Sequence, residues 1–206
     1  MKNKLQYIST IIFFGSIWGI TEATLGYVLH LIPGLSIYLS GSILFAFASY
    51  ILYKAYSKTN SKTSLVYIGI VATLIKATNF FLPLTSVFKV INPMASILLE
   101  SLLLIGVITY ISKDNLLNRV SGLLVISFSW RLGYYLYRGS SYLSTTSDYI
   151  QFFVIYAISS VLFGLGLIYL DKLITNKLTS NKKLNLFNPV VSLASLILAI
   201  VLTLVL

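Results

Sequence analysis

The sequence predicts an all-α bundle of transmembrane helices, and three observations predict it. Of 206 residues, 57% are hydrophobic and only 10% are charged, where an ordinary soluble domain carries about 45–50% apolar and about 25% charged residues. Seven apolar segments each run for about 20 residues, the length that roughly 30 Å of hydrocarbon requires at about 1.5 Å per residue. The fifteen basic residues, against five acids for a net charge of +10, fall almost entirely in alternate connections. A water-soluble globule is excluded, and the segments leave no room for a soluble domain beside the single integral membrane domain, residues 1–206.

Taken in order, the first span is read as Tyr7–Leu31. Its basic start, Met1-Lys2-Asn3-Lys4, is like the charged head of a signal peptide. The apolar run behind it is about 25 residues long, contains Glu22 and lacks a small-residue cleavage site, so it is expected to remain as a span. Pro33-Gly34 punctuates the next connection, and the second and third spans are Ser36–Tyr56 and Ser64–Leu84. Pro83, just after Phe80-Phe81, is placed to stop the third helix. The fourth span, Asn92–Ser112, has Pro93 near its start, where a missing N–H is harmless. Leu116–Arg138 and Tyr149–Ile174 follow, and the seventh, Phe187–Leu206, again has a proline near its start, Pro189. Should that last segment fold back instead of crossing, six spans remain.

Lys2, Lys4, Lys54, Lys58, Lys62, Lys113, Arg119, Lys172, Lys177, Lys182 and Lys183 fall on one side of this arrangement, and only Lys89 and Arg138 on the other. Basic connections stay cytoplasmic, so the N-terminus is expected inside, the C-terminus outside, and the protein in the cell (inner) membrane as a multi-pass chain. The same asymmetry accounts for the positive balance without nucleic acid as a partner. With no cysteine and a single histidine, His30, neither a thiolate nor a multi-histidine metal centre is available. No metal or other cofactor is expected.

Two basic residues stand apart from the connections, and with two acids they lie well inside spans: Glu22, Lys76, Glu100 and Arg131. Such groups are costly against lipid, so they face the bundle interior, pair with one another and mark function. Counted from the outer end of its span, each lies seven to nine residues deep, which puts all four roughly 10–14 Å below the outer surface. One layer shared by two acids and two bases is either a closed ion-pair network that fixes helix register or the floor of a cavity open to the outside. The neighbours favour the cavity. Asn79 lies one turn beyond Lys76 and Tyr134-Tyr135 beyond Arg131; Asn92, Ser96 and Ser101 share the Glu100 span; Trp18 and Trp130 lie on the helices of Glu22 and Arg131.

An aromatic-walled pocket with a few convergent polar groups suits a small, charged, ring-bearing solute. The residues expected to bind it are Glu22, Lys76, Asn79, Glu100, Arg131, Tyr134, Trp18, Trp130 and His30. In this reading Arg131 and Lys76 meet carboxylate or phosphate oxygens, and Glu22 and Glu100 an amine or ring nitrogen. His30, at the outer interface, adds a substrate contact.

Gly15, Gly19 and Ala23 recur every four residues on the first span, a small-residue stripe that lets another helix approach closely, either within the bundle or on a separate subunit. Together with the size, the outer-half polar site and the cytoplasmic N-terminus, this stripe resembles the substrate-binding S component of an energy-coupling-factor (ECF) vitamin transporter, whose first helix meets its coupling subunit through a small-xxx-small motif. The resemblance covers most of the chain. It implies a small membrane protein that captures a vitamin or related micronutrient from outside, with Gly15, Gly19 and Ala23 packing on a transmembrane coupling subunit and ATPases supplying the energy. Members typically have six spans.

No phosphate loop, nucleophile elbow or His-Glu-x-x-His motif occurs in the chain, so ATP hydrolysis by this chain and the common hydrolase chemistries lack their residues. No catalytic residue is assigned. Two other readings use the same buried charges: an intramembrane enzyme acting on a lipid or isoprenoid phosphate, and an ion-coupled secondary carrier with the acids as proton relays.

Overall fold

The computed structural model describes residues 2–32, 39–83, 86–139, 142–178 and 187–206. Pro33, Gly34, Lys182 and Lys183, and the expected span ends Ser36 and Leu84, lie outside them. Among the described residues the chain is an all-α bundle without strands. Its rods are α1 (Lys2–Leu31), α2 (Ser40–Thr59), α3 (Lys62–Ala77, tightening into a 3-10 turn over Thr78–Phe81), α4 (Phe88–Ile111), α5 (Leu116–Arg138), α6 (Thr146–Ile150, Gln151–Ile155 and Tyr156–Leu178) and α7 (Pro189–Val205).

Local chemistry explains where the rods begin and end. Between α2 and α3 the chain turns at Asn60, whose φ of 48° is left-handed, a conformation asparagine tolerates, and its N–H donates to the Tyr56 carbonyl at 2.8 Å. Leu82 is extended, as the residue before a proline prefers, so Pro83 stops α3. Asn115 caps α5 by accepting from the Leu117 N–H at 2.9 Å, and Asn188 caps α7 by accepting from Val191 at 2.8 Å. A reciprocal Thr145–Asp148 capping box opens α6. Pro93 departs from expectation. The helix begins at Phe88, so Pro93 sits inside it, past the orphan N–H groups of the first turn, and its missing N–H leaves the Lys89 carbonyl without that helical bond.

Among the described residues four helices are long and apolar enough to cross a membrane: Lys4–Leu31, Lys62–Phe81, Phe88–Ile111 and Thr146–Ile174, with mean hydropathies of 1.4, 1.5, 2.1 and 2.2. α7 is apolar but has only 17 residues, or roughly 25 Å. α2 and α5 carry more polar side chains, so the seven segments are not equally apolar as expected. Large apolar side chains such as Leu74, Leu162, Ile197 and Val205 point outward. A surface of that kind is stable against lipid and not against water, which marks a membrane-embedded protein.

The rods alternate in direction. At one end Tyr7 meets Ser61 at 3.3 Å, Lys54 pairs with Asp171 at 2.9 Å and Lys172 with Asp114 at 3.4 Å. α7 lies along α1 and runs parallel to it. Ser192 donates to the Ser9 carbonyl at 2.7 Å, while at the far end Thr203 and Leu206 share a cavity with Ala23 and Tyr27. The last segment therefore does not fold back on itself.

The small-residue stripe is also settled by packing. A Cβ added at Gly15 would lie 2.6 Å from Val71, and one at Gly19 would lie 2.9 Å from Ile75. α3 of the same chain occupies this face, with Ala23 buried beside it. The expectation that Gly15, Gly19 and Ala23 receive a separate subunit's helix is corrected, because the close approach is already used within the bundle.

Candidate functional site

At the end of the bundle away from the lysine-rich turns, the rods spread around a two-lobed cavity. The first lobe, about 300 Å³, lies between α1, α2, α4, α5 and α6; the second, about 540 Å³, between α1, α3, α4 and α7. Glu22, His30, Leu44, Asn92 and Pro93 belong to both walls, so the lobes adjoin. Exposed His30, Lys89 and Leu206 on the rim bring the cavity to the surface.

Glu100, from the middle of α4, is buried at 6% exposure in the first lobe. Its Oε1 accepts from Ser96 at 3.5 Å, and Ser96 in turn accepts from Trp130 Nε1 at 3.1 Å. Its Oε2 has no partner. A buried acceptor left in this state costs about 1–3 kcal/mol, so a donor arriving from the cavity is favoured there. Trp130 stacks on Tyr134 with ring centroids 5.5 Å apart, Tyr134 meets Tyr142 edge-on at 5.7 Å, and Tyr142 meets Phe152 at 5.4 Å. These rings wall the lobe. Burial pushes the Tyr142 phenol up from its ordinary value, so it stays a neutral hydrogen-bonding group.

Glu22 projects from α1 into the seam between the lobes, its Oε1 accepting from Trp18 Nε1 at 3.3 Å. Trp18 itself is fully buried and lines neither lobe. It positions Glu22 from behind, which corrects its expected place at the site. Lys76 and Asn79 close the second lobe from the end of α3. Lys76 Nζ donates to the Asn79 side-chain oxygen at 3.2 Å, and the Asn79 amide donates to the Thr203 carbonyl at 2.6 Å, tying α3 to α7. His30 stands on the rim with Nδ1 at 2.7 Å from the Gly26 carbonyl.

Arg131 is used differently from expectation. Its Nη1 donates to the Ser127 carbonyl at 3.1 Å and to Ser127 Oγ at 2.6 Å; its Nη2 donates to Ser42 Oγ at 3.1 Å, the Tyr156 carbonyl at 2.6 Å and Ser160 Oγ at 2.9 Å. Both terminal nitrogens are committed to α2, α5 and α6, and only Nε is unpartnered. With 1% exposure, the guanidinium staples three helices together and supplies the cavity with charge rather than with a free fork for a carboxylate or phosphate.

Glu22, Lys76, Glu100 and Arg131 thus border two adjoining lobes without forming a closed ion-pair network. Among the described residues the salt bridges are Lys54–Asp171, Arg119–Asp114 and Lys172–Asp114, all at the opposite end. Sequence reasoning missed Ser42, Ser160, Tyr142 and Phe152. The two serines stood out only as small polar residues in apolar spans. Phe152 reaches the cavity from the wide π turn Gln151–Ile155, which no local pattern announces. Tyr135, beside Tyr134, meets Tyr149 at 3.0 Å instead of lining the cavity, and Ser101 packs against Gly69 of α3. No group of three His, Asp or Glu side chains able to hold a metal occurs among the described residues.

Comparison with protein-family models, with curated proteins and with solved structures returned no match to this chain.

Proposed function

We propose that this chain is a membrane-embedded binding protein that captures a small, charged, ring-bearing solute from the outer side of the cell (inner) membrane. The observation that carries the reading is a buried carboxylate, Glu100, with one unpartnered oxygen, among the residues that line an aromatic-walled cavity. Pockets of a few hundred Å³ with few convergent polar groups are the size and chemistry of small-molecule sites. Lys54, Lys58, Lys113 and Lys172 gather at the opposite end, which is the cytoplasmic end by the positive-inside bias, so the cavity opens outward. The seven rods then cross the bilayer with the N-terminus inside and the C-terminus outside.

The chain has no nucleotide-binding motif of its own. In this reading it serves as a vitamin-type S component of an ECF transporter, with a transmembrane coupling subunit and ATPases moving the solute. The coupling subunit meets a face other than the Gly15/Gly19 stripe, which α3 covers.

The test is to denature the protein purified in mild detergent and identify what it releases. A ring-bearing charged solute in near-stoichiometric amount, unchanged on incubation with the protein, is the expected result. Release of lipid alone, or chemical turnover of an added isoprenoid phosphate by the chain by itself, overturns the reading.

A further inference from the structure

The two lobes differ in the charge they present, and the difference restricts what they take. Resting on the binding function proposed above, we infer that the solute is zwitterionic, with a cationic nitrogen in the first lobe and a carboxylate or phosphate in the second.

In the first lobe Glu100 offers an unpartnered oxygen and Glu22 a second carboxylate, while the terminal nitrogens of the one cation there, Arg131, are committed to protein acceptors. Trp130 and Tyr134 add aromatic walls, beside which a cation is favoured over an anion. An anionic group placed there meets two carboxylates and no free donor fork. In the second lobe the balance reverses. Lys76 and Lys89 both border it, and Lys76 Nζ, with three donors, gives one to Asn79. Glu22 at the seam is the acid of that lobe.

A purely cationic solute leaves Lys76 and Lys89 of the second lobe with Glu22 alone between them, and a purely anionic one leaves Glu100 facing Arg131, whose terminal nitrogens are committed to other acceptors. Unpaired charge is costly away from water. A solute carrying both charges satisfies both lobes with no net charge added to the membrane interior. Glu22 at the seam then lies alongside the linker between its two ends.

The experiment is calorimetric titration of the ligand-stripped, detergent-solubilised protein with three probes on one ring: 4-(aminomethyl)benzoate, benzylamine and benzoate. The zwitterion is expected to bind at least about tenfold more tightly than either singly charged probe. Glu100→Gln should reduce it to the level of benzoate, and Lys76→Met to that of benzylamine. A singly charged probe binding as tightly as the zwitterion to the unaltered protein overturns the inference, and this arm does not depend on how the variants fold. The released solute gives the second reading. A zwitterion there supports the inference even where the benzoate probes do not fit; a singly charged or neutral solute overturns it while the binding function stands. Neither a released solute nor any probe binding removes the binding function and the inference with it.

Discussion

A guanidinium held at 1% exposure by two serine hydroxyls on neighbouring helices, a third on its own helix and two backbone carbonyls is a structural device as much as an electrostatic one. Removing it leaves the Ser42 and Ser160 hydroxyls donating to the Tyr156 carbonyl but takes away the donor that ties them to α5, and leaves Glu100 without its nearest cation. Arg131→Ala is therefore expected to lower stability by about 3–5 kcal/mol, the range for breaking a buried charged group's partnerships, visible as a fall in the thermal midpoint in detergent. An unchanged midpoint would mean that the three helices do not depend on it. Trp18 acts through Glu22. Trp18→Phe keeps an aromatic ring, though a smaller one, and deletes the N–H that Glu22 accepts, so it should weaken solute binding by roughly tenfold, as loss of a hydrogen bond to a charged group of about 1.5–3 kcal/mol allows, with the fold retained. Equal affinity in the two proteins would show that Glu22 is held by other means.

At the scale of elements, α1 carries two faces. One bears Gly15 and Gly19 against α3, and the other projects Glu22 into the cavity. Gly15→Val should destabilise the isolated chain, because its Cβ would come within 2.6 Å of Val71 and overpacking costs about 1–3 kcal/mol. A loss seen only when other subunits are present would contradict this assignment. The stripe was legible in sequence as spacing, but which helix meets it was not, since small-xxx-small marks close approach without naming the partner. Pro83 and Pro189 were read correctly as boundaries because each acts within its own turn. Pro93 was not, because the five residues before it, Phe88 to Asn92, include the polar Lys89 and Asn92 and read as the end of a connection, and only the backbone shows that they are already helical. The π turn at Gln151–Ile155 escaped for a similar reason: it brings Phe152 to 5.9 Å from the Arg131 guanidinium and the Tyr156 carbonyl onto its Nη2, contacts that no local pattern encodes.

Across the whole molecule, the helical bundle was legible because a bilayer imposes a length on every segment, and the four charges inside the spans were legible as a group because each is costly against lipid. What each charge touches was not, since helix rotation decides it. Arg131 was expected to face a ligand and instead binds protein, while Trp130 and Tyr134 do line the cavity. The chain's lack of cysteine makes its orientation open to labelling. In intact cells a membrane-impermeant maleimide should label Lys89→Cys, at the cavity end, and spare Lys58→Cys, at the opposite end. The reverse pattern would turn the cavity toward the cytoplasm and remove capture from outside.

The most direct measurement compares the small molecules released from the purified protein and from Glu100→Gln, matched for amount and for helical content. The account predicts a ring-bearing solute near one per chain from the former and its loss from the latter. Equal amounts from both would contradict a binding site built on that carboxylate.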